Sequence, residues 1–192
     1  RLRGFEKGKV GPIDSGDYVG GNYSTAINFS TNLPGIMTSF ENLDFSYFID
    51  VGNVGPDYQP AHAHSDTFNF ELIKDGDPIF VDTGISTYEK NNKRLEERST
   101  HSHNTVEINS INQTEVWGGF RVARRAKIIN LEENIGSISA THDGYKHKGF
   151  RHNRVFEWSD YEITIKDFLN KSTLNKAKAH FHFHSSITKP IL

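Results

Sequence analysis

The most constraining feature of this sequence is a succession of short segments in which apolar and polar residues alternate. In residues 45–51, for example, an aromatic or aliphatic side chain occupies every second position, which is the period of a half-buried strand. No segment of ten or more residues has the period of a helix. Short strands separated about every 8–12 residues by glycine and asparagine turns predict an all-β fold, an antiparallel β-sandwich of two large sheets.

The predicted strands run from residue 26 to residue 184, and some of the connections between them carry their own signals. Lys74-Asp75-Gly76-Asp77 contains the Asp-Gly pair that is typical of a tight hairpin. Residues 85–100 are too highly charged for a core element, so they predict a long exposed loop with one helical turn around Arg94–Glu97. The predicted strands are residues 26–29, 45–51, 68–72, 78–82, 106–108, 114–117, 120–129, 135–142, 150–158, 162–168 and 179–184.

The length of 192 residues fits a single β-sandwich domain that covers residues 1–192. A chain of this size can bury about 70 % of the surface that its unfolded form exposes, so it needs no disulfide to fold. Residues 1–50 are predicted to contain an irregular, glycine-rich beginning with a short strand near Tyr18 and Val19, followed by the first strands of the sandwich.

The composition excludes several functional classes. The sequence has no cysteine, which excludes disulfides and thiolate metal sites. Its formal net charge of −2, from 22 basic and 24 acidic residues, argues against a general nucleic-acid-binding protein. No apolar run approaches the roughly 20 residues of a membrane span, and the stretch that begins at Arg1 lacks the apolar core of a signal peptide.

A His-Ala-His sequence at residues 62–64 is the strongest candidate for a functional site. It lies just before residues 68–72, in which apolar and polar side chains alternate as in a half-buried strand. In an extended chain, His62 and His64 would point to the same face, about 6.6 Å apart. Two such imidazoles can share a metal ion, or one can bind a metal while the other contacts a substrate.

Further acidic and histidine residues could join this pair at a divalent metal ion. Zinc accepts imidazole and carboxylate ligands at about 2.0–2.2 Å, and three protein ligands leave one position open. The residues alone do not decide between His62 and His64, or between His101 and His103, because the members of each pair share a strand face. The complete candidate set is His62, His64, Asp66, Asp82, His101 and His103.

Asp82 can join such a site only if the chain bends. In a tight hairpin, Asp82 would lie roughly 16 Å from His64 along the strands. A metal site therefore requires a bend between His64 and Phe68, for which Asp66 is the candidate position. Without such a bend, Asp82 would cap a turn and the histidines would line a wet loop.

Three other groups of residues are weaker candidates. In residues 180–184 the phenylalanines fit a core face, which leaves the intervening histidines on an exposed polar face rather than at a second metal site. Trp117, beside a Gly-Gly pair, fits a sugar-stacking platform and equally a core tryptophan next to a β-bulge. Arg121, Arg124 and Arg125 form a basic cluster that can pair with an anionic polymer, although ordinary surface charge explains it as well.

Six short motifs follow one another in a specific order between Val51 and His184. They are residues 55–66 (GPDYQPAHAHSD), 70–72 (FEL), 81–84 (VDTG), 98–106 (RSTHSHNTV), 116–122 (VWGGFRV) and 142–145 (HDGY). In this order and spacing they resemble the C-terminal β-sandwich domain of the heparinase II/III family of polysaccharide lyases. The last two motifs resemble members linked to bacterial surface polysaccharides, whereas residues 1–50 match only loosely.

The resemblance implies a carbon–oxygen lyase that cleaves a uronate-containing polysaccharide, heparin- or heparan-like or bacterial surface polysaccharide, by β-elimination. A base removes the proton at C5, α to the carboxylate, and the 4-O-linked sugar leaves as an unsaturated uronate forms. By resemblance, His62 faces the substrate cleft as the catalytic residue. Arg98, Trp117 and Arg121 are expected to bind the substrate.

The resemblance also implies a divalent metal, zinc or alternatively calcium, held in a structural role by His64, Asp82 and His103. The expected partner is an anionic polysaccharide, with no nucleic acid and no membrane span, and the expected location is the periplasm or outside a bacterium. The family's α/α-toroid domain, which supplies the catalytic tyrosine and the residue that neutralises the substrate carboxylate, is absent from these 192 residues. The chain alone is therefore expected to be inactive.

Two alternative functions make different use of the same residues. A non-catalytic carbohydrate-binding or assembly module for an anionic polysaccharide would use Trp117 and the arginine cluster, and it would not depend on His62. A cupin-like metalloenzyme would instead place His62 and His64 on one metal ion.

Overall fold

The computed structural model describes residues 13–14, 17–18, 25–31, 43–58, 60–159, 162–171 and 176–188. Most of the irregular stretch predicted at the beginning of the chain lies outside the described residues, as do Val19 of the short predicted strand and Gln59 of the first motif. No helix within the described ranges is long and apolar enough to cross a membrane.

Short strands dominate the described residues. One α-helix, α1, covers Asn92–Glu97, and short 3₁₀ turns cover Pro60–His62, Thr100–Ser102 and Lys146–Lys148. In chain order the strands are β1 (Ile13–Asp14), β2 (Asp17–Tyr18), β3 (Thr25–Thr31), β4 (Leu43–Ile49), β5 (Phe70–Lys74), β6 (Asp77–Phe80), β7 (Val106–Ile108), β8 (Val116–Trp117), β9 (Arg121–Val122), β10 (Ile128–Asn134), β11 (Ser137–His142), β12 (His152–Trp158), β13 (Ile163–Leu169) and β14 (Ala177–Ala179).

Two four-stranded antiparallel sheets make up most of the fold. One has the order β3-β4-β5-β6 and the other the order β10-β11-β12-β13, so neighbours in each sheet are also neighbours along the chain. Three two-stranded pairs, β1-β2, β7-β14 and β8-β9, complete the described strands. The prediction of an all-β, antiparallel fold is confirmed.

The main hydrophobic core joins the two large sheets. The rings of Phe70 on β5 and Phe156 on β12 meet edge-to-face with 5.9 Å between their centroids, a geometry that aromatic pairs prefer. A second, smaller cluster is formed by Val106 and Ile108 of β7 together with Tyr145 and Phe150. The main cluster consists of Ile49, Val51, Phe68, Phe70, Ile138, Ala140 and Phe156.

The hairpin predicted at Asp75-Gly76 is confirmed, whereas the strand before it begins later than predicted. Asp75 and Gly76 have φ values of 50° and 85°, and two positive φ values are what the tight turn between β5 and β6 requires. Phe68 has a φ of 70° and lies in a turn, so β5 begins at Phe70 rather than at Phe68.

The structure corrects two further predictions about exposure. The charged stretch before residue 100 contains the predicted helical turn, but the side chains of Arg94 and Arg98 are fully buried, so the segment is not a wholly exposed loop. Near the end of the described chain, β14 stops at Ala179, and Phe181 and Phe183 are 43 % and 42 % exposed rather than on a core face. Both rings nevertheless pack against Phe80.

Candidate functional site

The segment that carries His62 and His64 is not a strand. A 3₁₀ turn ends at His62, and the carbonyl of Ala63 accepts hydrogen bonds from Nε and Nη2 of Arg98, at 3.2 and 2.8 Å. The amide of Ser65 donates to the carbonyl of Arg98 at 3.0 Å. The backbone here bonds to the side chain and the carbonyl of Arg98 and not to a neighbouring strand. The chain is therefore not extended, and the two histidines do not share one strand face.

The bend that a metal site required is present. The amide of Asn69 donates to the carbonyl of Asp66 at 2.8 Å and closes a turn, in which Phe68 has its positive φ. The amide of Phe68 donates to the carbonyl of Asp50 at 3.0 Å and anchors the turn to the end of β4. The chain therefore changes direction between His64 and the start of β5.

His64, Asp66 and His103 bring their ligand atoms within 4.8 Å of one another, and we call these three residues the His/Asp cluster. His103 is fully buried, and its Nδ1 lies 2.6 Å from Oδ1 of Asp82. Among the described residues, Nε2 of His103 has no hydrogen-bond partner. An unpaired buried nitrogen is costly, whereas a metal-binding histidine commonly donates its other N–H to a carboxylate. The cluster therefore fits a divalent metal ion.

The electrostatics of the cluster also suit a cation. Burial lowers the pKa of His64, which favours the neutral imidazole that binds metals. Burial opposes charge on both His103 and Asp82, but their mutual hydrogen bond outweighs it, so that the pKa of His103 rises and that of Asp82 falls. Loss of hydration and then the charge of Asp66 raise the pKa of Asp50 to about 7. Crowded carboxylates of this kind are stabilised by a bound cation.

His62 has different surroundings from His64. Its exposed ring lies edge-on to the rings of Tyr88 and Phe120, with 6.0 Å between centroids in each case. The guanidinium of Arg94 lies over both aromatic rings, 5.0 Å from Tyr88 and 4.3 Å from Phe120. His62 is not a member of the His/Asp cluster, which argues against the cupin-like alternative.

Arg94 also fixes the positions of Tyr88 and Phe120 through hydrogen bonds to the backbone. Its Nε donates to the carbonyl of Gly119 at 2.7 Å and its Nη1 to the carbonyl of Thr87 at 3.1 Å. These two bonds tie the loops that carry Tyr88 and Phe120 to α1. Sequence reasoning did not place these three side chains beside His62. Arg94 belonged to the predicted helical turn and Phe120 to a predicted strand and motif, and no spacing linked either of them, or Tyr88, to residue 62.

The remaining predicted site residues lie outside the His/Asp cluster. Asp82 contacts the Nδ1 side of His103, opposite the unpaired Nε2. Arg98, predicted to bind substrate, is fully buried against the Ala63 carbonyl. Trp117 on β8 is 40 % exposed and lies opposite Arg121 on β9, so the alternative of a core tryptophan is wrong.

Asn104 fixes the position of the segment that carries His103. Its Nδ2 donates to the carbonyls of Phe70 and Val81, at 2.8 and 3.0 Å, while its Oδ1 accepts from the amide of His182 at 2.6 Å. The neighbouring hydroxyl of Thr105 donates to a further carbonyl in the bend, at 2.8 Å. These bonds fasten the His103 segment to β5, to the chain after β6 and to the last described residues.

Comparison with known proteins agrees with this architecture. The family model described as "Heparinase II/III-like, C-terminal" matches residues 37–190. The chain belongs to the heparinase II/III-like family. Within the family it corresponds to the C-terminal domain, and the match to this β-rich domain confirms the resemblance that the ordered motifs carry. A search of curated proteins finds no match.

Solved structures with a similar fold include a heparan sulfate lyase and a heparinase III. A mutant of the heparan sulfate lyase HepC from Pedobacter heparinus is 15 % identical, with a TM-score of 0.55, and the similarity covers 88 % of this chain and 25 % of HepC. The heparinase III BT4657 gene product is 18 % identical, with a TM-score of 0.51, and the similarity covers 84 % of this chain and 24 % of that protein. The heparinase II/III-like chain thus spans about a quarter of the length of these larger proteins.

Proposed function

We propose that this domain is the β-sandwich part of a polysaccharide lyase that cleaves uronate-containing polysaccharides by β-elimination. The observation that carries the proposal is the separation of the two neighbouring histidines. His64 belongs to the His/Asp cluster, whereas His62 is exposed beside Tyr88 and Phe120. One imidazole is thereby kept for a metal, and the other is free to meet a substrate.

β-Elimination at a uronate needs three functions. The substrate carboxylate is neutralised, a base removes the C5 proton, and an acid protonates the C4 oxygen as the C4–O bond breaks and a C4–C5 double bond forms. His62 is proposed to contribute its imidazole to these proton transfers. The other groups are proposed to come from an α/α-toroid domain of a larger protein, so this domain alone is inactive.

The residues predicted to bind substrate take different parts in this proposal. Trp117 and Arg121, which face each other on the β8-β9 hairpin, are proposed to contact sugar rings and their anionic groups. Arg98 is buried, so it is proposed to act on the substrate indirectly, by fixing the Ala63 carbonyl next to His62. An extracytoplasmic location, periplasmic or secreted, suits an enzyme that acts on such polymers.

We also propose that His64 and His103 hold a zinc ion, which would supply positive charge and rigidity to the base of the site. Two imidazoles favour zinc over calcium, which prefers oxygen ligands. Asp82 was the predicted third ligand, but the His/Asp cluster contains Asp66 instead, so Asp66 is the alternative third ligand. The competing role for Asp82 is to orient His103 through their hydrogen bond.

The lyase proposal is tested by complementation. Joined to or mixed with a toroid domain of the family, the domain is expected to generate the ultraviolet-absorbing unsaturated uronate from heparan sulfate or another uronate polymer. His62→Ala should reduce turnover by about 10²- to 10⁴-fold, the range for loss of an acid–base group. His184→Ala, a histidine distant in sequence that bonds to Ser186, is the matched control. Full activity of His62→Ala, or robust activity of the domain alone, would contradict the proposal.

The metal proposal is tested by elemental analysis of the purified protein. We expect one zinc per chain, lost in His64→Ala and in the variant of the true carboxylate ligand. If Asp82 only orients His103, Asp82→Asn should weaken zinc binding by about 10- to 100-fold while Asp66→Asn abolishes it. The reverse order would identify Asp82 as the ligand, and wild-type protein without a stoichiometric divalent ion would refute the site.

A second candidate function is a non-catalytic carbohydrate-binding or assembly module. The observation that favours it is that Trp117 is exposed and lies opposite Arg121, whereas a core tryptophan would be buried. This module would bind anionic glycans equally well after His62→Ala and would lose binding after Trp117→Ala. Measuring both variants with the same glycan separates the two functions.

A further inference from the structure

A positively charged groove lies between the end of β9 and the 3₁₀ turn Lys146–Lys148. It has a volume of about 630 Å³ and is open to solvent. We call it the basic groove. Its charged lining consists of Arg124, Arg125, Lys127, Lys146 and His147, with Asp143 as the acidic member. This concentration of positive charge is local, because the whole chain carries a formal net charge of −2.

The positive charges of the basic groove are only partly compensated, since Arg125 is paired with Asp57. Lys127 and Lys146 are exposed and form no ion pair with any described residue. Asp143 adds one negative charge to the lining, and its Oδ1 accepts a hydrogen bond from the backbone amide of Lys127 at 2.9 Å. Arg124 lies 3.7 Å from Glu115, a loose and exposed pair that contributes little neutralisation.

Positive charges also surround His147. Partial burial and then the charges of Arg124 and Lys148 lower the pKa of His147. An anion in the groove would be attracted by these charges and would reverse their effect on the imidazole. The groove is thus complementary to a negatively charged ligand.

The basic groove continues towards the segment that carries His62. A smaller hollow of about 130 Å³, lined by residues 53–55 and by Asp57, shares Arg125 and Lys127 with the groove. Nη1 of Arg125 donates to three consecutive carbonyls, those of residues 54–56, at 3.1–3.2 Å. Gly55 in turn touches Ala63, because a Cβ placed on Gly55 would lie 2.9 Å from the Cβ of Ala63.

We propose that the basic groove binds a stretch of anionic polysaccharide beyond the linkage that meets His62. The inference rests on the proposed function, and it adds a second contact surface for the same substrate chain. An extended polyuronate or sulfated polymer carries charge in every repeat, and several cations along its path gain affinity by releasing counterions. Arg125 holds the connecting loop, while Arg124, Lys127 and Lys146 are the contacts to the polymer.

The test compares long and short ligands at several salt concentrations. The ligands are long-chain heparin and a heparin tetrasaccharide, with double-stranded DNA as a competing polyanion. The groove variant is Lys127→Gln/Lys146→Gln, and the matched control is Lys176→Gln/Lys178→Gln, which removes the same charge from exposed residues elsewhere. For loss of two contacts, we expect the groove variant to bind long heparin about tenfold or more weakly at about 0.1 M salt, with a salt slope smaller by about 2.

The outcomes separate the groove from the lyase site. Equal losses in the groove and control variants, or equal binding of DNA and heparin by the wild type, would overturn the groove as a polysaccharide surface. If His62→Ala weakens tetrasaccharide binding while the groove variant leaves long-chain affinity unchanged, the groove inference fails and the lyase proposal stands. If the groove variant alone loses long-chain affinity, and His62→Ala lowers neither ligand affinity nor turnover in the complementation assay, the groove stands and the role of His62 fails.

Discussion

Two fully buried histidines on the inner face of the second sheet should make the fold sensitive to acid. The amide of Gly144 donates to Nδ1 of His142 at 3.1 Å, so this nitrogen accepts and Nε2 carries the proton. Nε2 of His142 lies 3.1 Å from Nδ1 of His152, whose own Nε2 lies 2.7 Å from Oδ1 of Asp167. Every ring nitrogen is satisfied when both imidazoles are neutral, and an added proton would set two donors against each other.

The size and sign of the effect follow from the pKa values. Burial lowers the pKa of His152 and holds that of His142 well below its usual range. The unfolded chain, with histidine pKa values of about 6.5, then binds more protons than the folded chain as the pH falls below that value. For each such histidine, stability decreases by up to about 1.4 kcal/mol per pH unit until the pH reaches the folded-state pKa. The stabilisation that depends on these two neutral histidines is therefore fully present only above about pH 6.5.

A histidine elsewhere acts in the opposite direction. The pKa of His103 is raised, mainly because its bond to Asp82 outweighs burial, so its contribution is present below its unfolded pKa and is lost as the pH rises through the folded one. The pH profile of the wild type alone combines both effects. The difference between the wild type and a His142 variant isolates the buried pair.

The assay is urea unfolding at pH 5.5, 6.5 and 7.5, in the presence of a chelator and followed by tryptophan fluorescence. His142→Gln should lose about 1–3 kcal/mol at pH 7.5, because the amide of Gly144 loses its acceptor. Its further loss between pH 6.5 and 5.5 should be about 1 kcal/mol smaller than that of the wild type. His147→Gln, an exposed histidine in a neighbouring turn, is the control and should largely keep the wild-type slope. An unchanged slope in His142→Gln would refute the reasoning.

Three further substitutions test other buried contacts, each by its urea midpoint. Asp167→Asn should cost about 3–5 kcal/mol, because both carboxylate oxygens accept from the buried guanidinium of Arg154, at 2.7 and 2.8 Å. Gly144→Ala should cost about 1–3 kcal/mol, since the new Cβ would lie 2.6 Å from the carbonyl oxygen of Gln113. Asn104→Ala should cost about 1–3 kcal/mol for each backbone group that it leaves unpaired, with the far-ultraviolet circular dichroism unchanged at low denaturant.

Local patterns in the sequence were sufficient to predict a strand where buried and exposed residues alternate along it. β12 was predicted closely, because its buried residues fall on every second position. β10 was missed over most of its length, since all of its residues after Ile128 are exposed. That strand is held by its backbone ladder to β11, with Leu131 opposite Ala140 for instance. A strand at the edge of a sheet needs no apolar face of its own, so periodicity cannot reveal it.

The geometry of the candidate site could not be predicted from local patterns, for a different reason. Spacing alone could not decide between His62 and His64, because it assumed an extended chain. The chain departs from that geometry where Arg98, 35 residues further on, donates to the Ala63 carbonyl between the two histidines. Such long-range polar contacts leave no periodic trace, and their cost when broken is that of a buried charge without a partner. The different surroundings of His62 and His64 are thus set by Arg98 as much as by the histidines themselves.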